Sequence, residues 1–291
     1  MHRALIFILA ATSVVSAQSR LNSEVERIMK GHKGTAIVLD LKTEKVIAVY
    51  HPEVAARRLA LPGSTVKPFT LMALIDSGKV RPDEKFVCRR EVHVGKVNLT
   101  CSHPQTGQPF DAVSALAYSC NDYFTSMATR LTAEEMRNAL TDLSKQTRLL
   151  PDEVSGSVQL TQTREQRQLQ AVGEFGVRVT PIELLAAYRR LSAYTFVSRT
   201  LPGFDAAFGG LMGATEYGMA RLAQPQGLSV AGKTGTSRAD EGTWTHGWFV
   251  GWAPASDPQV ALVVFLERGT GPGDAAPFAA QILQAWMAER K

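Results

Sequence analysis

Strand-forming segments lie at both ends of this chain, and a long helix-forming stretch separates them. Residues 35–41 form an apolar run, Thr43-Glu44 reads as a turn, and residues 45–50 form a second run, which together predict a hairpin. At the far end, residues 228–233, 247–252 and 260–267 read as strands divided by Gly, Pro and Asp, and residues 276–289 as a closing helix. Between these ends, residues 64–76 place Val66, Phe69, Leu71, Met72, Leu74 and Ile75 at helical spacing, and Gly78 stops the pattern. Residues 23–30, 133–143, 181–191 and 205–222 are further helical pieces. Strands from opposite ends can share one sheet only if the chain closes on itself. The expected fold class is therefore α+β (mixed α/β), with a five-stranded antiparallel sheet built from both chain ends and an inserted, mainly helical lobe. The cleft between sheet and lobe is the natural place for a site.

The N-terminus reads as a targeting segment. His2 and Arg3 precede an apolar run over 4–15, and Val15-Ser16-Ala17 offers a small-x-small cleavage site. Crossing a bilayer takes about 20 apolar residues, so the run is short for an anchor. The expectation is a cleaved signal peptide over 1–17, one domain over 18–291, and a secreted or periplasmic protein with no stable membrane span. An uncleaved anchor is the alternative. The 291 residues carry a net charge of +5, dispersed along the chain without a Lys/Arg run, which argues against nucleic acid as a partner.

Three cysteines matter more in an oxidising compartment. Cys88 and Cys101 flank the strand-like patches 92–94 and 97–99, so a hairpin disulfide between them is expected, contributing roughly 3 kcal/mol. Cys120 is left over and reads as a small buried residue. The six histidines show no metal-ligand spacing, His103 and His246 read as structural, and neither a metal nor another cofactor is expected. Trp244, Trp248 and Trp252 flank one strand and read as core, with a cleft wall as the other option.

Three short clusters carry chemistry. In Ser64-Thr65-Val66-Lys67, a helix start puts positions i and i+3 on one face, so the lysine amine can take the serine proton once burial holds it neutral. Otherwise Ser64 is an N-cap and Lys67 a solvated first-turn residue. Ser119 and Asn121 point about 200° apart on a regular helix, so both face a cleft only at a helix break. There a hydroxyl can relay a proton and an amide can hold a carbonyl; plain helix capping is the other reading. Lys233-Thr234-Gly235-Thr236 follows an apolar strand. Gly235 would let another backbone lie close, and the amine and hydroxyls suit a carboxylate. A glycine-marked strand end is the alternative. The sequence has no G-x-S-x-G elbow around Ser64, which argues against an α/β-hydrolase.

With these clusters and their flanks, the chain resembles the penicillin-binding protein transpeptidase family, whose fold is shared with serine β-lactamases. The flanks are residues 62–68, 117–124, 176–188, 232–237 and 247–254, and the resemblance covers residues 34–289. It implies a β-lactamase/transpeptidase-like domain whose partners are peptidoglycan stem peptides and β-lactams. Ser64 would be acylated, Lys67 would be the base, and Ser119 and Lys233 would relay the proton. Asn121 would position the amide, Thr234, Gly235 and Thr236 would bind the substrate, and the N–H groups of Ser64 and Thr236 would form the oxyanion hole. The Cys88 and Cys101 pair is also similar to a feature of some members. Glu174 and Phe175 depart from the pattern, because they lie where the family is usually richer in glycine. A serine D,D-transpeptidase or D,D-carboxypeptidase is the implied activity. The alternatives are a β-lactamase, which needs a deacylating base, and a non-catalytic β-lactam or muropeptide sensor.

Overall fold

A computed structural model describes residues 20–197 and 200–290. The expected signal peptide, 1–17, lies outside the described residues. A first helix, α1, covers 20–29. Strands β1 (Gly34–Asp40) and β2 (Lys45–Tyr50) form the expected hairpin, with Ala36 opposite Tyr50 and Asp40 opposite Lys45. The lobe then runs through α2 (Pro52–Arg57), a 3-10 turn (Gly63–Val66), α3 (Lys67–Asp76), the small hairpin β3 (Glu91–Val94) and β4 (Val97–Thr100), α4 (Ala112–Ala117), α5 (Asn121–Met127) and α6 (Ala133–Leu140). It continues through β5 (Ser157–Val158), α7 (Arg164–Gln170), β6 (Val177–Arg178), α8 (Pro181–Ser192) and α9 (Pro202–Glu216). The chain returns to the sheet in β7 (Ala231–Arg238), β8 (Thr245–Ala253) and β9 (Val260–Leu266), and α10 (Ala276–Ala288) closes it.

All pairings in the large sheet are antiparallel, in the order β2-β1-β9-β8-β7. This is the α+β arrangement read from the sequence. The central strand β9, VALVVFL, is buried along its whole length, which suits a strand covered on both faces. Alternation divides its side chains between two cores. Val263 and Phe265 face the lobe, packing with Ile37, Val66, Leu71, Leu184 and Trp248. Leu262 and Val264 face the opposite way, towards Val25, Met29, Ile282 and Trp286 of the two terminal helices. Trp248 and Trp252 are core residues. Helix α3 is buried almost all round, so it forms the axis of the lobe. Helix α8 starts on a capping box, in which Thr180 accepts from the Glu183 backbone and Glu183 from the Thr180 backbone. No helix among the described residues is long and apolar enough to cross a membrane.

Two boundaries differ most from the sequence reading. Helix α9 stops at Glu216 rather than 222, because Gly218 packs on α4 so closely that a Cβ there would lie 2.3 Å from the Ala117 carbonyl oxygen. The strand expected over 228–233 instead spans Ala231–Arg238. Its partner β8 ends at Ala253, and Pro254 has no N–H to extend the ladder past the Ala231–Trp252 pair. Lys233, Thr234 and Gly235 therefore lie inside an edge strand, not after one.

Candidate active site

The turn that carries Ser64 is wedged between two other backbone segments. Gly63 has φ +55°, and a Cβ there would lie 2.7 Å from the Thr236 carbonyl oxygen. The Gly63 N–H donates to the Gly173 carbonyl at 3.2 Å, and a Cβ on Gly173 would lie 2.1 Å from Gly63 O. Glycine at both positions lets the turn, the 173 loop and β7 meet in direct backbone contact. Side chains lock this junction. Ser237 Oγ and Trp248 Nε1 both donate to Leu61 O, at 2.6 and 3.1 Å, and Tyr188 Oη donates to Thr65 O at 2.8 Å. The backbone close to Gly235 is the chain's own, since a Cβ there would lie 2.6 Å from Pro62 O.

Lys67 opens α3 and is fully buried. Its Nζ donates to Ser119 O at 2.8 Å, to Ser119 Oγ at 3.2 Å and to Asn121 Oδ1 at 2.7 Å. The solvated first-turn alternative is thereby removed. Burial lowers its pKa from the usual lysine range to about 8. Among the described residues Ser64 Oγ makes no hydrogen bond, so the serine hydroxyl is uncommitted.

The expected helix break is present. Helix α4 ends at Ala117, Ser119 adopts φ +54°, and α5 begins at Asn121. This brings Ser119 and Asn121 to the same amine, while Cys120 between them turns into the core as the N-cap of α5. Asn121 Nδ2 donates to Thr100 O at 3.0 Å, which with the Lys67 bond orients its amide.

On β7, Lys233 is fully buried and its Nζ donates to Thr234 O at 3.2 Å. Burial first, and then repulsion from Lys67, push its pKa well below the usual lysine value. Thr236 Oγ1 accepts from the Gly271 N–H at 3.0 Å. Ser64, Ser119, Asn121, Thr234 and Thr236 line one cleft of about 430 Å³, with Lys67 close behind it. A larger cavity of about 1160 Å³, lined by Phe69, Met72, Tyr194 and Phe196 among others, contains no motif residue. The motif residues therefore gather at the smaller one.

Glu174 also lines the cleft, and the sequence marked it only as a departure from a glycine-rich pattern. Its Oε2 is buried without a hydrogen bond, 3.5 Å from Arg238 Nε, and burial raises its pKa. The expected Cys88–Cys101 disulfide is not formed: the two sulfurs are 3.7 Å apart and all three cysteines are free. A disulfide needs about 2.05 Å. Cys120, read as left over, lies 3.9 Å from Cys101, and His103 completes the group. The short Cys101-x-His103 spacing is the signal that could have pointed to it.

Comparison with known proteins places this cleft in context. Residues 34–200 and 209–284 match the profile of the penicillin binding protein transpeptidase domain. The probable peptidoglycan D,D-transpeptidase PenA of Neisseria flavescens is 26% identical over 305 aligned residues, covering 88% of this chain and 75% of that protein. The peptidoglycan D,D-transpeptidase MrdA of Acinetobacter baumannii is 23% identical, covering 79% of this chain and 43% of that protein. The chain thus spans three quarters of one relative and less than half of the other. The transpeptidase domain of Burkholderia pseudomallei penicillin-binding protein 3 superposes with a TM-score of 0.80 at 18% identity, covering 95% of each chain. Pseudomonas aeruginosa PBP2, solved with WCK 5153, gives 0.78 at 22% identity, covering 92% of this chain and 74% of that one. These likenesses show the fold. With the profile match spanning most of its length, the chain belongs to the penicillin binding protein transpeptidase domain family.

Proposed function

We propose that this chain is a penicillin-binding serine D,D-peptidase that acts on peptidoglycan stem peptides ending in D-Ala-D-Ala. The observation that carries the reading is the buried Lys67 amine, bonded to both Ser119 and Asn121 and lowered to about 8. Neutral Lys67 accepts the Ser64 hydroxyl proton as Oγ attacks the penultimate D-Ala carbonyl carbon. The Ser64 and Thr236 N–H groups receive the oxyanion, each donor of this kind typically being worth about 3–4 kcal/mol of barrier. As the C–N bond breaks, the leaving D-Ala amine takes a proton through Ser119 and Lys233. Asn121 holds the substrate amide, and Thr234 and Thr236 hold its terminal carboxylate against β7, with Gly235 keeping the strand close to the Ser64 turn. A β-lactam enters the same cleft and leaves Ser64 acylated. In this reading residues 1–17 direct export, and residues 18–291 act in the periplasm or outside the cell. The test is incubation with a D-Ala-D-Ala-ending peptide, with and without a D-amino acid acceptor. Free D-alanine is expected in both, and exchange product with the acceptor identifies a transpeptidase. No D-alanine from a folded protein would refute the proposal.

One observation favours water as acceptor, giving a D,D-carboxypeptidase or a β-lactamase. Glu174 places a carboxyl oxygen in the cleft that holds Ser64, buried without a hydrogen bond and ion-paired at 3.5 Å with Arg238 Nε. Such a group can take the proton of a water attacking the acyl-enzyme. Glu174→Gln is then expected to lengthen the lifetime of the penicilloyl adduct by about 10²-fold or more, with acylation little changed. Adduct decay followed by mass spectrometry checks this. An unchanged lifetime rules Glu174 out as the base.

A further inference from the structure

The four residues beside the Ser119–Asn121 break form a second centre. Cys88, Cys101, His103 and Cys120 bring one ligand atom each within 4.8 Å of the others. Cys101, His103 and Cys120 are buried, and Cys88 is half-buried at the rim. We propose that they bind a single zinc ion as a Cys3His structural site that fixes the loop carrying Ser119 and Asn121.

The distances carry the argument. Zinc bonds of about 2.3 Å to sulfur and 2.0–2.1 Å to nitrogen, at tetrahedral angles, put sulfurs about 3.8 Å apart and sulfur and nitrogen about 3.5 Å apart. Cys88 Sγ and Cys101 Sγ are 3.7 Å apart, Cys101 Sγ and Cys120 Sγ 3.9 Å, and Cys88 Sγ and His103 Nε2 3.5 Å. These separations are too long for a disulfide and too short for a multi-iron cluster to fit between the ligands. Three soft sulfurs and one imidazole within this span are the donor set that tetrahedral zinc favours.

The surroundings are those of a ligand set. His103 Nδ1 lies 2.8 Å from Pro104 O, the bond of an Nδ1–H tautomer, which leaves Nε2 bare towards the sulfurs. The Phe110 ring packs edge-on against the imidazole, with centroids 4.9 Å apart. Backbone N–H groups aim at two of the sulfurs, Arg90 N at Cys88 Sγ (3.3 Å) and Tyr123 N at Cys120 Sγ (3.4 Å), which suits sulfurs that carry negative charge.

The connection to the catalytic cleft is topological. Cys88 precedes β3, Cys101 and His103 follow β4, and Cys120 stands between Ser119 and Asn121. One ion would therefore tie the small hairpin to the α4–α5 break. It would hold Ser119 in its left-handed conformation and keep Thr100 O in place for Asn121. Binding also protects three adjacent thiols from oxidation outside the cytoplasm.

The test is elemental analysis of the exported, folded full chain, with a non-reducing peptide map of the same sample. About one zinc per chain is expected, together with three unpaired cysteines after the metal is stripped. Cys88→Ser, at the half-buried rim, is expected to fold and to lose zinc to a strong chelator at least about tenfold faster. If His103→Ala or Cys120→Ser fails to fold, cobalt(II) added to the stripped wild-type protein decides instead. Intense visible absorption with thiolate-to-cobalt charge transfer, weakened in Cys88→Ser, supports the site. A Cys88–Cys101 disulfide in the folded isolate would overturn it. So would a folded protein that takes up neither zinc nor cobalt, or zinc content and release that Cys88→Ser leaves unchanged.

Discussion

Ser64→Ala is expected to reduce covalent labelling by a fluorescent penicillin to background in a protein that still folds. The substitution removes one hydroxyl that makes no hydrogen bond among the described residues, from a half-buried position on a 3-10 turn. The turn is held instead by contacts through Leu61, Gly63 and Thr65, which the variant keeps. The stability change should therefore stay within about 0.5 kcal/mol, the range of substitutions that break no cap, core contact or network. The loss of labelling should be complete, because no other serine in the cleft stands at the junction of β7 and the 173 loop. Labelling gels read beside thermal melting curves separate the two effects. Persistent labelling of a folded Ser64→Ala protein would remove Ser64 as nucleophile.

Lys67→Ala should slow acylation by about 10²–10⁴-fold, the usual contribution of a positioned general base. The pH dependence ties this effect to the amine. A lysine titrating near 8 is neutral in roughly one molecule in ten at pH 7, against about one in three thousand for a lysine at 10.5. Because burial lowers the pKa and only the neutral amine accepts a proton, the acylation rate should rise with pH and level off above about pH 8. The rate should not fall through that range. Lys67→Arg keeps the positive charge but cannot be deprotonated, so it should be as slow as the alanine variant and lack the rise. Stopped-flow acylation across pH 6 to 9 measures both. A flat wild-type profile, or near-normal acylation in Lys67→Arg, would refute Lys67 as the base. Lys67→Ala also leaves Ser119 O and Asn121 Oδ1 without their donor, so a lower melting temperature should accompany the kinetic loss.

Much of the fold was legible in the sequence, because its strongest signals are local. The alternation and apolar runs of β1, β2 and β9 announced strands, and Gly78 marked where α3 had to stop. The need to place Ser119 and Asn121 on one side of the chain predicted a break that the φ of Ser119 realises. What escaped depends on partners distant in the chain. The start of β7 is set by Pro254 at the end of its neighbour, so the local sequence puts Lys233 at a strand end when it lies within the strand. Glu174 becomes part of the cleft only because Gly173 allows its loop to touch Gly63. The pairing expected for Cys88 and Cys101 was reasonable for a hairpin taken alone. Folding adds Cys120 from a helix junction and His103 from beyond β4, and a pair becomes a group of four. Only the short Cys101-x-His103 step hints at that grouping, because the intervals to 88 and 120 are long and irregular.

In the proposed mechanism the three motifs form one acylating centre at Ser64. Intact-protein mass followed over time after mixing with benzylpenicillin, with peptide mapping of the adduct, tests it most directly. A gain of one penicillin per chain is expected, located on the peptide that contains Ser64. That adduct persists or decays by hydrolysis, according to what Glu174 does. A folded protein that neither gains the adduct nor consumes the drug, or that carries it on a residue other than Ser64, would rule out Ser64 as the acylated nucleophile.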